Sequence, residues 1–184
     1  MEYRYAREGD VGQMAALFAV NRYDALTEGE RAAQGFVQGE FGVGVLAAMV
    51  RDRELLVADD AGRVTGLLGL CGPGELGEVS PAVVGLLEAQ GELEWEGRPL
   101  SGVPWLLYGP VVVDAGYRGR GVARGLFRMA LAEAAGRAEL VVAFIEDGNV
   151  PSWKVHVEGF GMTPLGGYAV GGRRYRVVGA PVGG

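Results

Sequence analysis

The stretch from Val111 to Leu126, V-V-V-D-A-G-Y-R-G-R-G-V-A-R-G-L, holds the residues whose types and spacing could do chemistry. A run of β-branched residues gives way to a turn rich in Gly and Arg, and the turn opens directly into a helical pattern. Strand, glycine turn and helix N-terminus together present several backbone N–H groups and the positive end of a helix dipole to one point in space. Such a point binds an anion, most often a phosphate. Gly119 and Gly121 keep side chains out of the way, Ala123 is small, and Arg118 can add charge-assisted hydrogen bonds. Arg120 and Arg124 could do the same or simply stand in solvent. The plainer alternative is a tight connection that binds nothing.

Spacing separates the kinds of phosphate loop. A dinucleotide fingerprint needs G-x-G-x-x-G straight after a strand, whereas Gly119, Gly121 and Gly125 give G-x-G-x-x-x-G. A Walker loop needs G-K-[S/T], and the nearest lysine, Lys154, lies far along the chain. Neither fits.

Other reactive side chains are few. The only histidine is His156, and the only cysteine, Cys71, ends an apolar run, which favours a buried structural thiol over a nucleophile. One cysteine excludes an internal disulfide and fits a reducing compartment. The formal net charge is -6, with no block of like charge, so there is no electrostatic footprint for a nucleic-acid partner; the acidic balance leans weakly towards a cationic substrate. The N-terminus lacks the apolar core of a signal peptide and no long apolar run appears, so a cytoplasmic protein with no membrane partner is expected.

The elements that must position these residues follow from periodicity. Tyr3 to Arg7 alternates as a strand, and Asp10 is expected to cap a helix with Val11, Met14, Ala15, Leu17 and Phe18 on one face. Thr27 and Glu30 form a capping-box pair for a second helix, and Phe41 to Val50 reads as a third. Glu54 to Ala58 and Arg63 to Leu70 are strands joined by D-D-A-G-R hairpin chemistry. Gly72 to Gly77 reads as a loop, and Ser80-Pro81 starts a helix that ends at Gly91. Glu92 to Val103 reads as polar and irregular, with an E-G pair at Glu96-Gly97 that could turn, so the excursion over about 72–103 is expected to be a lid or an interaction surface. Trp105 to Val113 is a strand in which Gly109-Pro110 marks a bulge or an edge. Gly121 to Arg137 is a helix with Val122, Leu126, Met129, Ala130 and Ala134 inward, Leu140 to Ile145 a buried strand, and Pro151 to Val157 a short helix opened by Asn149. Leu165 to Val170 and Arg174 to Val178 close the chain as a hairpin around Gly171-Gly172. At 184 residues one domain, 1–184, is expected, of α/β (α+β) class around one mixed sheet.

Arg118-x-x-Gly121-x-Ala123, following a strand in which Val111 and Val113 share a face, resembles the coenzyme A signature [Q/R]-x-x-G-x-[G/A] of the GNAT superfamily of acyl-coenzyme A-dependent N-acyltransferases. The whole segment G-P-V-V-V-D-A-G-Y-R-G-R-G-V-A-R fits, with Ala115 where proline is common. A later segment, Asn149-Val150-Pro151-Ser152-Trp153-Lys154-Val155-His156 followed by Gly159-Phe160, resembles a second family motif, in which Asn opens a short helix and Tyr or His precedes a G-F pair. Here G-F arrives one residue earlier than usual, which implies a shortened loop after His156 or a pair that is not the equivalent one.

The resemblance implies a mixed, mainly antiparallel sheet flanked by helices, with strands splayed around the coenzyme A site near Gly109-Pro110. It implies acetyl-coenzyme A as cosubstrate, no metal, and transfer of the acetyl group to a primary amine of a small molecule or peptide by direct attack. Val111, Val112 and Val113 would pair through their backbone with the pantetheine arm. Arg118, Gly119, Arg120, Gly121, Val122, Ala123 and Arg124 would hold the diphosphate, and Asn149 and Ser152 would border the arm. His156 would protonate the sulfur, with a structural histidine as the alternative, and the N–H of Val111 would stabilise the oxyanion. Glu146 is the candidate base; Asp147 and Tyr108 are others, and a solvated acid pair is the plain alternative. Trp95, Trp105, Tyr108 and the first two helices could line an acceptor pocket or be core. A homodimer is possible, and a non-catalytic acyl-coenzyme A binding module is the competing reading.

Overall fold

A computed structural model of the chain describes residues 1–75 and 80–183. In chain order the elements are β1 (Glu2–Tyr5), α1 (Val11–Ala19), α2 (Glu28–Gln34), α3 (Val43–Arg51), β2 (Leu55–Asp60), β3 (Arg63–Cys71), α4 (Pro81–Ala89), β4 (Glu94–Trp95), β5 (Arg98–Pro99), β6 (Trp105–Val113), α5 (Val122–Ala134), β7 (Leu140–Glu146), α6 (Val150–Trp153), β8 (Thr163–Val170) and β9 (Arg173–Pro181). Seven strands form one sheet in the order β1-β2-β3-β6-β7-β9-β8. The β1–β2, β2–β3, β7–β9 and β9–β8 pairs are antiparallel, and β6–β7 is parallel. The mixed, mainly antiparallel sheet expected from the sequence is therefore present. The loop expected over 72–77 lies partly outside the described residues.

The chain divides into two compact units, the first made of Met1–Arg31, Phe36–Leu70 and Tyr108–Ala130, the second of Ala32–Gly35, Cys71–Leu107 and Leu131–Gly184. In the first, Met14 and Phe18 of α1 and Leu46 of α3 pack with Leu55, Val57, Leu67 and Val112 from the strands. Phe41 stacks on Phe18 with ring centroids 4.6 Å apart. The β2–β3 hairpin turns on Ala61 and Gly62, both with positive φ, and this mirror-image turn matches the right-handed twist of its strands. Thr27 and Glu30 satisfy each other's backbone N–H groups as the capping box requires.

Asp10 differs from expectation. Its carboxylate makes no cap bond to α1; it accepts from the Arg7 N–H at 2.7 Å and from Arg4 at 2.7 and 3.0 Å. Arg4 also reaches Asp59 at 2.7 Å, and Asp59 accepts from the Gly62 N–H at 2.6 Å. The reason is charge. A guanidinium that is nearly buried on β1 must be paired, and two carboxylates satisfy it better than one backbone cap satisfies an aspartate.

The second unit has its own core of Leu86, Leu93, Leu100, Leu140, Val142 and Val177, with Trp95 and Trp105 packed into it. The excursion is not an irregular lid. Glu94–Trp95 and Arg98–Pro99 pair as a small hairpin turning on Glu96 and Gly97, both with positive φ. Leu93, Trp95, Leu100 and Val103 are all buried, so the segment contributes core to this unit. Alternation was hidden because each strand is only two residues long. Ser80 caps α4 as expected, and Gly171 and Gly172, both with positive φ, lie between β8 and β9.

β6 lies inside the sheet, so Pro110 does not mark an edge strand. The β6–β7 ladder runs from Trp105–Leu140 to Leu107–Val142, ending two residues before Gly109. β3 approaches β6 so closely that a Cβ on Gly69 would stand 2.6 Å from the Gly109 carbonyl oxygen. Because the obstacle is backbone, Gly69→Ala is expected to destabilise the protein by about 1–3 kcal/mol. Gly44→Ala, in α3 with open space around it, should instead stabilise by about 0.5 kcal/mol. Urea unfolding midpoints of the two variants check this, and an unchanged midpoint for Gly69→Ala would contradict the close approach.

Candidate active site

The glycine turn belongs to the first unit. Val112 is buried in that unit's core, while Val111 and Val113 are half-buried, so the two valines share the opposite face as their spacing predicts. After Val113 the chain makes a short turn, Ala115–Tyr117, in which Asp114 accepts from the Gly116 N–H at 2.8 Å. Gly119 and Gly121 then adopt φ of 72° and 82°, and α5 begins at Val122. Packing does not force glycine at either position, since an added Cβ would meet nothing within 4 Å; the positive φ does. The turn is thus exposed and free of side chains on its glycine side, and the first N–H groups of a helix have no partner within it. These residues fit a diphosphate.

What aims the turn was not legible in the motif. Tyr117 donates its hydroxyl to Asp60 at 2.8 Å, and Arg63 pairs with Asp114 at 2.9 Å, so the residues on either side of the β2–β3 turn hold the glycine turn. Arg63 and Arg120 lie over the Tyr117 ring at 5.4 and 5.2 Å. Burial opposes ionisation of Asp114, yet the hydrogen bonds from Arg63 and Gly116 hold it below the usual carboxylate range. Arg118 is half-buried and donates to the Asn21 side-chain oxygen at 2.6 Å. Val122 and Leu126 sit on Gly66, where a Cβ would come within 2.9 and 3.2 Å of them. Ala123 is half-buried and Arg124 exposed. Gly125, the glycine that spoils the dinucleotide spacing, is where the Tyr3 ring crosses the helix; a Cβ there would fall 2.0 Å from it. Tyr108 is almost fully buried edge-on to Phe127, and burial pushes its phenol up, which disfavours the phenolate a base would need.

In the second unit, Asn149 is buried and opens α6, its side-chain oxygen accepting from the Ser152 N–H at 3.4 Å. That oxygen also stands 2.7 Å from where a Gly35 Cβ would be, so a side chain at Gly35 would displace it. No loop follows His156. From Lys154 to Gly159 the helix continues as a wide π turn, and Phe160 then meets the imidazole edge-on at 5.4 Å. His156 is buried, and its Nδ1 lies 2.8 Å from the Ser152 carbonyl oxygen and 3.3 Å from the Ser152 hydroxyl. A carbonyl only accepts, so Nδ1 carries the proton. Burial pushes the histidine below its ordinary value, partly opposed by that hydrogen bond. Glu146, at the end of β7, takes Arg173 on both oxygens at 3.1 and 3.2 Å. Asp147 pairs with Arg176 at 3.0 Å, and that guanidinium lies over Trp153 at 3.8 Å. Trp95 and Trp105, candidates for an acceptor pocket, are instead buried in the core of this unit. Among the described residues no group of three or more His, Cys, Asp or Glu could hold a metal ion, and no helix is long and apolar enough to cross a membrane.

The family model described as Acetyltransferase (GNAT) family matches residues 46–162, more than half of the chain. The chain belongs to the GNAT acetyltransferase family. Solved GNAT-like structures agree in fold at low identity. A ribosomal-protein-alanine N-acetyltransferase from Brucella melitensis is 19% identical with a TM-score of 0.63, covering 98% of this chain and 99% of its own. The Salmonella typhimurium protein yncA, solved with its cofactor acetyl-CoA, is 16% identical with a TM-score of 0.63, over 100% and 95%. A GNAT family acetyltransferase from Streptococcus agalactiae 2603 is 15% identical with a TM-score of 0.66, over 100% and 96%. No curated protein matches the chain.

The single histidine gives a single imidazole signal to follow by NMR. Its titration midpoint is expected below 6.5, the ordinary histidine value, because the folded protein disfavours the charged form. By linkage, this contribution to stability is fully present above the unfolded pKa and is lost as pH falls from the unfolded pKa through the lower folded one, since the unfolded chain takes up a proton first. A midpoint at or above 6.5 would contradict the buried placement.

Proposed function

We propose that the protein, acting as one GNAT-like domain over residues 1–184, transfers an acetyl group from acetyl-coenzyme A to a primary amine by direct attack. The observation that carries this reading is the exposed pair of positive-φ glycines, Gly119 and Gly121, directly before the thirteen-residue helix α5. The backbone N–H groups of Gly119 to Arg124, with the Arg118 and Arg120 guanidinia, hold the diphosphate. The backbone of Val111 to Val113 pairs with the pantetheine arm, and the N–H of Val111 meets the developing oxyanion. Asn149 and Ser152 border the arm.

The coenzyme supplies a thioester that an amine can attack without a covalent enzyme intermediate. The amine, with a pKa of about 10, is protonated at neutral pH and must lose a proton first. Glu146 accepts it, with Arg173 fixing the carboxylate. In its imidazolium form, with Nδ1–H kept on the Ser152 carbonyl, His156 gives the Nε2 proton to the departing sulfur and is reprotonated before the next turnover. Its burial makes the imidazolium a stronger acid than in water, and the Ser152 carbonyl fixes the ring.

Release of free thiol from acetyl-coenzyme A over a panel of amines tests the reading. His156→Phe and Glu146→Gln are each expected to lower kcat about a hundredfold with little change in affinity for acetyl-coenzyme A. Arg118→Glu combined with Gly121→Asp should abolish coenzyme binding. Tight coenzyme binding with no thiol release from any amine would instead establish a binding module.

A further inference from the structure

We infer that Asn21 is a positioning residue of the diphosphate site: it sets the direction of the Arg118 guanidinium and fixes the α1–α2 connection against it. The inference rests on the coenzyme reading above. Asn21 lies just past the end of α1 and is only 7% exposed. Its position is fixed on three sides. Its N–H donates to the Phe18 carbonyl at 3.0 Å, and its carbonyl accepts from the Val37 N–H at 3.0 Å. Its Nδ2 donates to the Leu17 carbonyl at 2.8 Å. That last bond settles which way the amide is turned, because only the nitrogen can donate there, and so the oxygen faces Arg118. The Arg118 bond at 2.6 Å joins residues 97 positions apart in the chain.

The chemistry of the partner matters. A carboxylate would also orient a guanidinium, but it would cancel the charge that an anion needs. An amide oxygen orients it without adding a second negative charge to that of nearby Asp114. A guanidinium fork held in one direction loses less freedom when a diphosphate arrives, which strengthens binding without adding a contact to the ligand. The same residue carries the Val37 pairing, where Arg22 and Val37 form an isolated bridge and the Tyr23 N–H reaches the Val37 carbonyl at 3.0 Å. Asn21 therefore ties Val37 and the residues that follow α1 to Arg118.

Calorimetric titration of the full chain with coenzyme A, and separately with pantetheine, which lacks the diphosphate, tests this. Asn21→Ala should weaken coenzyme A binding about tenfold, the size expected of a hydrogen bond to a charged group, and leave pantetheine binding unchanged. In an Arg118→Met background the same change should have no further effect on coenzyme A. Asn21→Asp, the same shape with a negative charge, should also weaken coenzyme A and spare pantetheine. A merely structural asparagine would lower both affinities together, or lower coenzyme A affinity equally in the Arg118→Met background, and either result overturns the inference. Unchanged coenzyme A binding in Asn21→Asp overturns it too. If the unaltered protein does not bind coenzyme A, the coenzyme reading itself fails.

Discussion

The structure of the site depends on a steric constraint at Gly66. The first turn of α5 can lie against β3 only because that residue has no side chain: Val122, Leu126 and the Val112 carbonyl fill the space a Cβ would need. This contact fixes the start of α5 against the end of β6, and the glycine turn spans the interval between them. An anion site made of backbone N–H groups has no side chain to adjust, so its precision is that of the packing beneath it. Close packing under an exposed turn is the arrangement such a site needs.

Around this contact the first unit is held by charge. Asp59, Asp60 and Arg63 surround the β2–β3 turn, and each reaches a different part of the unit: Asp59 to Arg4, Asp60 to Tyr117, Arg63 to Asp114. The Arg4 pairs are nearly buried and hydrogen-bonded on several atoms, which is the condition under which ion pairs hold geometry. Arg63 is exposed, and its pair serves direction more than stability. The hairpin that the sequence marks only as a turn is thus the support for the glycine turn before α5.

Local patterns made most of the fold legible. Strands of six or more residues, the caps at Thr27, Ser80 and Asn149, and the paired positive-φ turns all depend on residues close together in sequence, and these fell where periodicity put them. The family motifs likewise named the turn and the α6 segment. What could not be read depends on long-range pairing or on competition between partners. Asp10 chose a guanidinium over a cap, β4 and β5 were too short to alternate, and the early G-F pair, read as a shortened loop or as a pair that is not the equivalent one, follows a π turn at Lys154–Gly159. Asn21 left no trace in any motif, because its importance lies in a side chain 97 residues away. Tyr108, Trp95 and Trp105 looked equally suited to pocket or core, and burial assigned them to the core.

The central claim is that the backbone from Gly119 to Ala123 is the diphosphate cradle. A crystal structure with acetyl-coenzyme A bound tests it most directly. Diphosphate oxygens are expected within hydrogen-bonding distance of the N–H groups in that stretch, with the Arg118 guanidinium still on Asn21. A diphosphate held elsewhere, with the Gly119–Ala123 backbone facing only solvent, would contradict it.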